Sequence, residues 1–245
     1  MIDSDNFNPK NLTVSELNTQ FKQPFAKITL DNKFPSFVLE PITLIQYGIP
    51  RIDDFAVKSD EYRRFILIPL DPNQPACMKL RSILEKADEY FGSEEFKKKL
   101  FGNKYDNYKY IPCIKERQHH VYYNPTGTRL DYCHVKFMNS KEGIQILLTN
   151  NGKKIIIKTV TELTKYIKFF TTARFKIRIN KIWAGTSKLM GMSKLLYGVG
   201  LLMEKISLGN EPEPDSNVNL EPIYHLSLVK SKYDDLKENK FEIEI

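Results

Sequence analysis

Glycine is scarce in this chain, at 11 of 245 residues. That scarcity argues against glycine-rich phosphate loops and short-period repeats, and the sequence contains no internal repeat. Cysteine is rarer still: Cys77, Cys113 and Cys133 are too few for a disulfide framework. Long apolar runs are missing as well. The longest, Leu195 to Met203, is closed off by Lys194 and Glu204 and falls far short of the ~18 residues a spanning helix needs. The opening Met1-Ile2-Asp3-Ser4-Asp5 lacks the basic-then-apolar order of a secretory leader. Together these absences predict a soluble intracellular protein with reduced thiols and no membrane association.

Enzyme signatures are absent too. There is no GxxxxGK followed by Ser or Thr, no GxGxxG after a strand, no GxSxG and no HExxH. Asp53-Asp54 and Asp234-Asp235 are adjacent acids, and neighbours on a strand point to opposite faces, so neither pair forms an obvious two-metal site. Cys113, His119, His120 and Cys133 follow no standard zinc spacing. The expectation is a protein with no metal, no cofactor and no catalytic activity. A nucleic-acid-processing enzyme with carboxylates gathered from distant segments stays open as a rival.

What is present is a core-forming composition and an uneven charge. Hydrophobic residues make up 41% and aromatics 12%, which excludes a disordered chain. Residues 153–205 carry twelve Lys and Arg against Glu162 and Glu204, whereas residues 206–245 carry four Lys against nine Asp and Glu. A basic zone followed by an acidic end suits a polyanionic partner, with a terminus able to compete for the same surface.

The pattern of elements is mainly β with α insertions. Residues 1–22 read as a flexible arm, 23–209 as the domain and 210–245 as an acidic tail. Strands are expected at Pro24–Leu30, Ser36–Tyr47 interrupted by Pro41, Tyr62–Leu70, Tyr108–Lys115 and Asp131–Met138. Apolar residues at helical spacing from Pro75, with Gly92 as a stop and Ser93 as an N-cap, predict a helical insert around 75–100. Asn150-Asn151-Gly152 predicts a tight hairpin between Gly143–Thr149 and Lys153–Thr159. A helical spacing over Thr161–Phe170 places Thr161 as its cap. Ala173–Ala184 and Leu195–Leu208 read as a long antiparallel pair.

The first of these two strands carries the chemistry. Strand alternation puts Arg174, Lys176, Arg178 and Asn180 on one face and Phe175, Ile177, Ile179 and Lys181 on the other. Three cations on one face match a phosphate backbone. Continued alternation assigns Trp183 to the core face unless a bulge re-aims it. Single-strand binders add aromatic platforms to such a row, because every base has a π-face. The candidate platforms are Tyr105, Tyr108, Tyr110 and Tyr123, and Arg63, Lys136 and Lys153 join the row as candidate phosphate contacts.

The order of features is Phe37 to Gly48-Ile49-Pro50, Arg63-Arg64-Phe65-Ile66, Pro69-Leu70-Asp71, the helical insert, Phe175 to Trp183, and Tyr197-Gly198-Val199-Gly200-Leu201. It resembles the single-stranded DNA-binding proteins of large eukaryotic DNA viruses, over residues 24–208. The resemblance implies an OB-fold-like barrel that coats single-stranded DNA during replication, recombination or repair. It also implies action at a viral replication site in the host cytoplasm or nucleus, and an acidic tail that recruits replication proteins. Self-association is compatible with that reading. The tail here departs from the pattern, since Lys230, Lys232, Lys237 and Lys240 dilute its charge. A rival of another class is a viral structural or transcription-assembly protein whose basic sheet binds a protein partner.

Overall fold

The computed structural model describes residues 6–52, 57–116 and 130–209. Its frame is the antiparallel pair β12 (Thr172–Ala184) and β13 (Leu195–Leu208), whose register runs from Ala173 opposite Leu208 to Ala184 opposite Tyr197. The free edge of β12 is taken by three short strands in turn: β2 (Phe25–Thr29), β3 (Ser36–Val38) and β4 (Ile42–Thr43). Pro41, which cannot donate to a ladder, separates the last two. Along the free edge of β13 lie β6 (Tyr108–Ile111), β8 (Tyr132–Ser140) and β10 (Leu147–Asn150), all parallel to it. Outer strands complete the sheet. β1 (Thr13–Val14) pairs with β2, and β5 (Phe65–Pro69), β7 (Ile114–Lys115) and β9 (Gly143–Gln145) pair with β8. β11 (Lys153–Ile155) pairs with β10.

The protein is therefore mainly β with helical insertions, as the periodicity predicts, but its large mixed sheet does not close into a barrel. The hairpin at Asn150-Asn151-Gly152 forms as expected, with Asn151 and Gly152 at φ 48° and 78°. These are left-handed values that Asn and Gly tolerate.

The insert is two helices, α1 (Pro75–Gly92) and α2 (Glu94–Phe101). Pro75 sits in the first turn, where its missing N–H costs nothing, and the Ser93 hydroxyl accepts from the Phe96 N–H to cap α2. The apolar side of α1, including Leu80, Ile83, Leu84, Ala87 and Phe91, merges into one core with Phe175, Ile177, Ile179, Tyr197, Leu201 and Met203 of the central pair. The Tyr197 hydroxyl donates to the Phe91 carbonyl at 2.8 Å, which ties α1 to this inner face.

Two expectations are corrected. Residues 6–22 are not a loose arm: Phe7 and Leu12 are buried in the core and β1 holds the segment to the sheet. The helix expected over Thr161–Phe170 is the single turn α3 (Val160–Leu163), capped by Thr159 in a reciprocal capping box with Glu162. Thr161 instead donates its N–H and hydroxyl to Asp60.

Candidate nucleic-acid interface

The outer face of the sheet, opposite α1, gathers cations and aromatic rings around one irregularity. The register of β12 on β13 shifts between Ile179 and Lys181, so Asn180 is an extra residue, a β-bulge that re-aims the side chains after it. Before the bulge, Phe175, Ile177 and Ile179 are buried. After it, Ile182 and Ala184 are buried, while Lys181 and Trp183 are half-buried on the outer face. Trp183 is thus not a core residue, against the alternation of the sequence.

Directly across from Trp183 is Gly198. A Cβ at 198 would stand 3.1 Å from Trp183 Cζ2, 3.3 Å from its Cε2 and 3.0 Å from the Ile111 carbonyl oxygen. The indole therefore lies on bare backbone, so close that a side chain at 198 would force the ring or its neighbours to give by a few tenths of an ångström. Gly200 continues the platform, with Trp183 Cδ1 3.9 Å from its notional Cβ. On the other side, β2 places Phe25 opposite Trp183 and the exposed Lys27 opposite Lys181. The Lys181 ammonium sits 5.1 Å from the Phe25 ring centroid, a favourable cation–π distance.

Further along β12, the expected row of Arg174, Lys176 and Arg178 shares this face, but carboxylates moderate it. Lys176 stands opposite Lys205, an unfavourable like-charge pairing. A second register shift, between Lys176 and Ile177, leaves Glu204 of β13 as an extra residue beside them. Its carboxylate reaches Arg178 Nε at 2.7 Å and Lys176 Nζ at 3.3 Å. Arg174 pairs with Glu40 at 3.5 Å. Arg178 is 5% exposed, and its guanidinium lies 4.7 Å from the ring of Phe34. Lys136 joins the same face, opposite both Leu202 of β13 and Phe65 of β5.

The other expected site residues are placed elsewhere. Arg63 is buried, and its guanidinium is spent on Asp60, the Pro50 carbonyl and the Thr161 hydroxyl. It locks the entry to β5 and does not reach the row. Tyr108 and Tyr110 point to the inner side. The Tyr108 ring stacks on Phe101 of α2 at 3.8 Å. The Tyr110 hydroxyl donates to Asp88 of α1 at 2.7 Å, and burial pushes that phenol well above its usual range. Tyr105 lies beneath Lys97 and Lys98 of α2. Lys153 is exposed on the hairpin, in register with Asn150, Leu208 and inward-facing Ala173, so it falls on the opposite face from the row. Tyr123, Asp53, Asp54, His119 and His120 lie outside the described residues.

Sequence reasoning missed Trp183, Lys181, Lys27 and Phe25 as members of the site. The available signals were Asn180, a poor strand residue, and the glycines at 198 and 200, which mark a close approach within a strand.

The three thiols are buried. Burial raises Cys77 to about 11 and pushes Cys113 and Cys133 well above the usual thiol range, so all three act as small hydrophobes. Among the described residues no group of three or more His, Cys, Asp or Glu could hold a metal ion. No described helix is long and apolar enough to cross a membrane.

The fold and the site define an open, mainly β sheet with a helical layer on one face and a cation–aromatic surface on the other. The chain is 30% identical over 170 residues to "Uncharacterized protein R503" of Acanthamoeba polyphaga mimivirus, covering 62% of this chain and 67% of that one. It belongs to the same family as that viral protein. It is also 30% identical over 191 residues to "Uncharacterized protein R505" of the same virus, covering 65% of this chain and 47% of the relative, so it spans about half that protein's length. No family model matches the chain.

Proposed function

We propose that this protein binds single-stranded DNA without sequence preference on the outer face of its sheet, as a non-enzymatic component of viral DNA replication, recombination or repair inside the infected cell. The observation that carries the reading is Trp183 laid on Gly198 beside Lys181 and Lys27. A half-buried indole pressed on backbone offers a flat ring to a base, and the adjacent ammonium groups suit the phosphates that flank it. The resident carboxylates Glu40 and Glu204 restrain Arg174 and Lys176 until a polyanion competes for them, while Arg178, nearly buried beneath Phe34, holds Glu204 in place. The viral origin of the relatives agrees with a viral role. Recruitment of replication proteins through residues 210–245 is part of the same proposal.

The test is an anisotropy titration of labelled oligo(dT) and of matched duplex with the full chain, across a salt series. The reading expects a preference for the single strand and an affinity that falls with salt at a log–log slope near −0.7 per neutralised phosphate. Equal affinity for the duplex, or no binding at low salt, would overturn it. The basic sheet would then be pursued as a surface for a protein partner.

A further inference from the structure

At the opposite end of β12 from Trp183, Phe170 adopts φ 64°. This left-handed backbone is uncommon for any side chain and a genuine outlier for a bulky one. Its surroundings hold it there. The Phe170 N–H donates to the Leu44 carbonyl at 2.9 Å, and the Leu44 N–H donates to the Thr171 carbonyl at 3.0 Å. Two residues thus oppose one, with the first left-handed, which is the arrangement of a β-bulge whose first position ordinarily belongs to glycine. The Thr171 hydroxyl accepts from the Lys168 N–H at 2.8 Å and closes the turn.

A phenylalanine in a glycine position would be understandable if its ring were buried. It is 73% exposed, and its neighbour Phe169 is 48% exposed. The backbone strain therefore has no return in packing. Strained residues that the surrounding structure over-determines are a mark of ligand-contacting positions.

The location supplies the ligand class. Phe170 immediately precedes the row of Thr172, Arg174, Lys176 and Arg178, and the Arg51 guanidinium lies 5.0 Å above the Phe169 ring. The exposed Phe170 ring stands beyond the bulge at one end of the row and the Trp183 indole at the other, and the strand between them spans roughly 40 Å at ~3.3 Å per residue. We propose that Phe170 is a second base-stacking platform, which takes a nucleobase of the same single strand that stacks on Trp183 and is threaded along β12 between them. This inference rests on the proposed reading of the outer face and adds to it the length and direction of the bound strand.

Phe170→Gly tests it cleanly, because glycine suits the left-handed backbone and removes only the ring. The full chain and this variant are titrated with oligo(dT) of about twelve nucleotides, within the site sizes of single-strand binders. Trp183→Ala serves as the control for the first platform. The expected result is an unchanged or raised Tm for Phe170→Gly and an affinity about five- to 150-fold weaker, the range of one lost stack. Quenching of the Trp183 emission at saturation should be retained. An unchanged affinity in Phe170→Gly, with Trp183→Ala still weakened, would remove the second platform and leave the reading of the outer face standing. No binding by the unmodified chain would remove both.

Discussion

Trp183 lies on Gly198 so closely that one added methyl would stand 3.1 Å from the indole and 3.0 Å from the Ile111 carbonyl. Gly198→Ala should therefore push either the ring or strand β6 outward, at a cost of about 1–3 kcal/mol typical of overpacking. Urea denaturation gives the stability. The emission of Trp183, the single tryptophan of the chain, should shift if the ring is displaced towards water.

Glu204 sits between Lys176 and Arg178, and the Arg178 side chain is 6% exposed. Removing the negative charge with Glu204→Gln leaves a nearly buried guanidinium with weaker compensation. We expect a loss of roughly 2–4 kcal/mol, at or below the cost of breaking a fully buried pair because Glu204 itself is partly solvated. The same variant should bind single-stranded DNA more tightly and with a steeper salt slope, since Lys176, the more exposed of the two cations, loses its internal partner. A destabilised variant with unchanged salt slope would show that Glu204 serves the fold alone.

Asp88 of α1 fastens the turn between β6 and β7. One carboxylate oxygen accepts from the Tyr110 hydroxyl and the Cys113 N–H, both at 2.7 Å, and the other accepts from the Ile114 N–H at 3.2 Å. Asp88→Ala strands donors that are mostly buried, each costing ~1–3 kcal/mol when unmet. The variant should unfold at least ~3 kcal/mol more easily, while Asp88→Asn, which keeps one acceptor, should lose less. Equilibrium unfolding of the two variants side by side checks the order.

His134 packs on Phe65 at 4.1 Å, and burial, with Lys136 and Lys115 nearby, lowers its pKa to about 3. The unfolded chain takes up this proton near pH 6.5 and the folded chain does not. Stability should therefore begin to fall as pH drops below about 6.5 and go on falling towards 3. From about pH 4 downwards, Asp60 adds to the loss. Burial alone would raise its carboxyl, but hydrogen bonds from Thr161 and Arg63 outweigh that and hold it below the usual range. Its contribution is intact above about pH 4 and lost as pH falls through the folded value. Stability curves of His134→Gln should be flatter between pH 6.5 and 4 than those of the unmodified chain.

Much of the frame was legible in the sequence because it rests on local signals. Leu195–Leu208 forms the strand its apolar run suggests, α1 begins at Pro75 and stops at Gly92, and Asn151-Gly152 makes the turn. The site was legible only in part. Alternation places Arg174, Lys176 and Arg178 together correctly, but it cannot anticipate the bulge at Asn180, which is set by pairing with β13. Unbroken alternation therefore assigns Trp183 to the core face, and the bulge turns it outward. Tyr108 and Tyr110 look available beside lysines in the sequence, and the docking of α1 and α2 takes them inward. Arg63 reads as a surface cation until Asp60 and Thr161, the latter distant in sequence, enclose it.

The central claim is that a base stacks on Trp183, and the chain's single tryptophan makes it directly measurable. Oligo(dT) is titrated into the full protein at low salt while the intrinsic emission is followed, and the titration is repeated as salt is raised. The account predicts saturable quenching that weakens steeply with salt and is not reproduced by matched duplex. Binding detected by anisotropy with no change in tryptophan emission would contradict it.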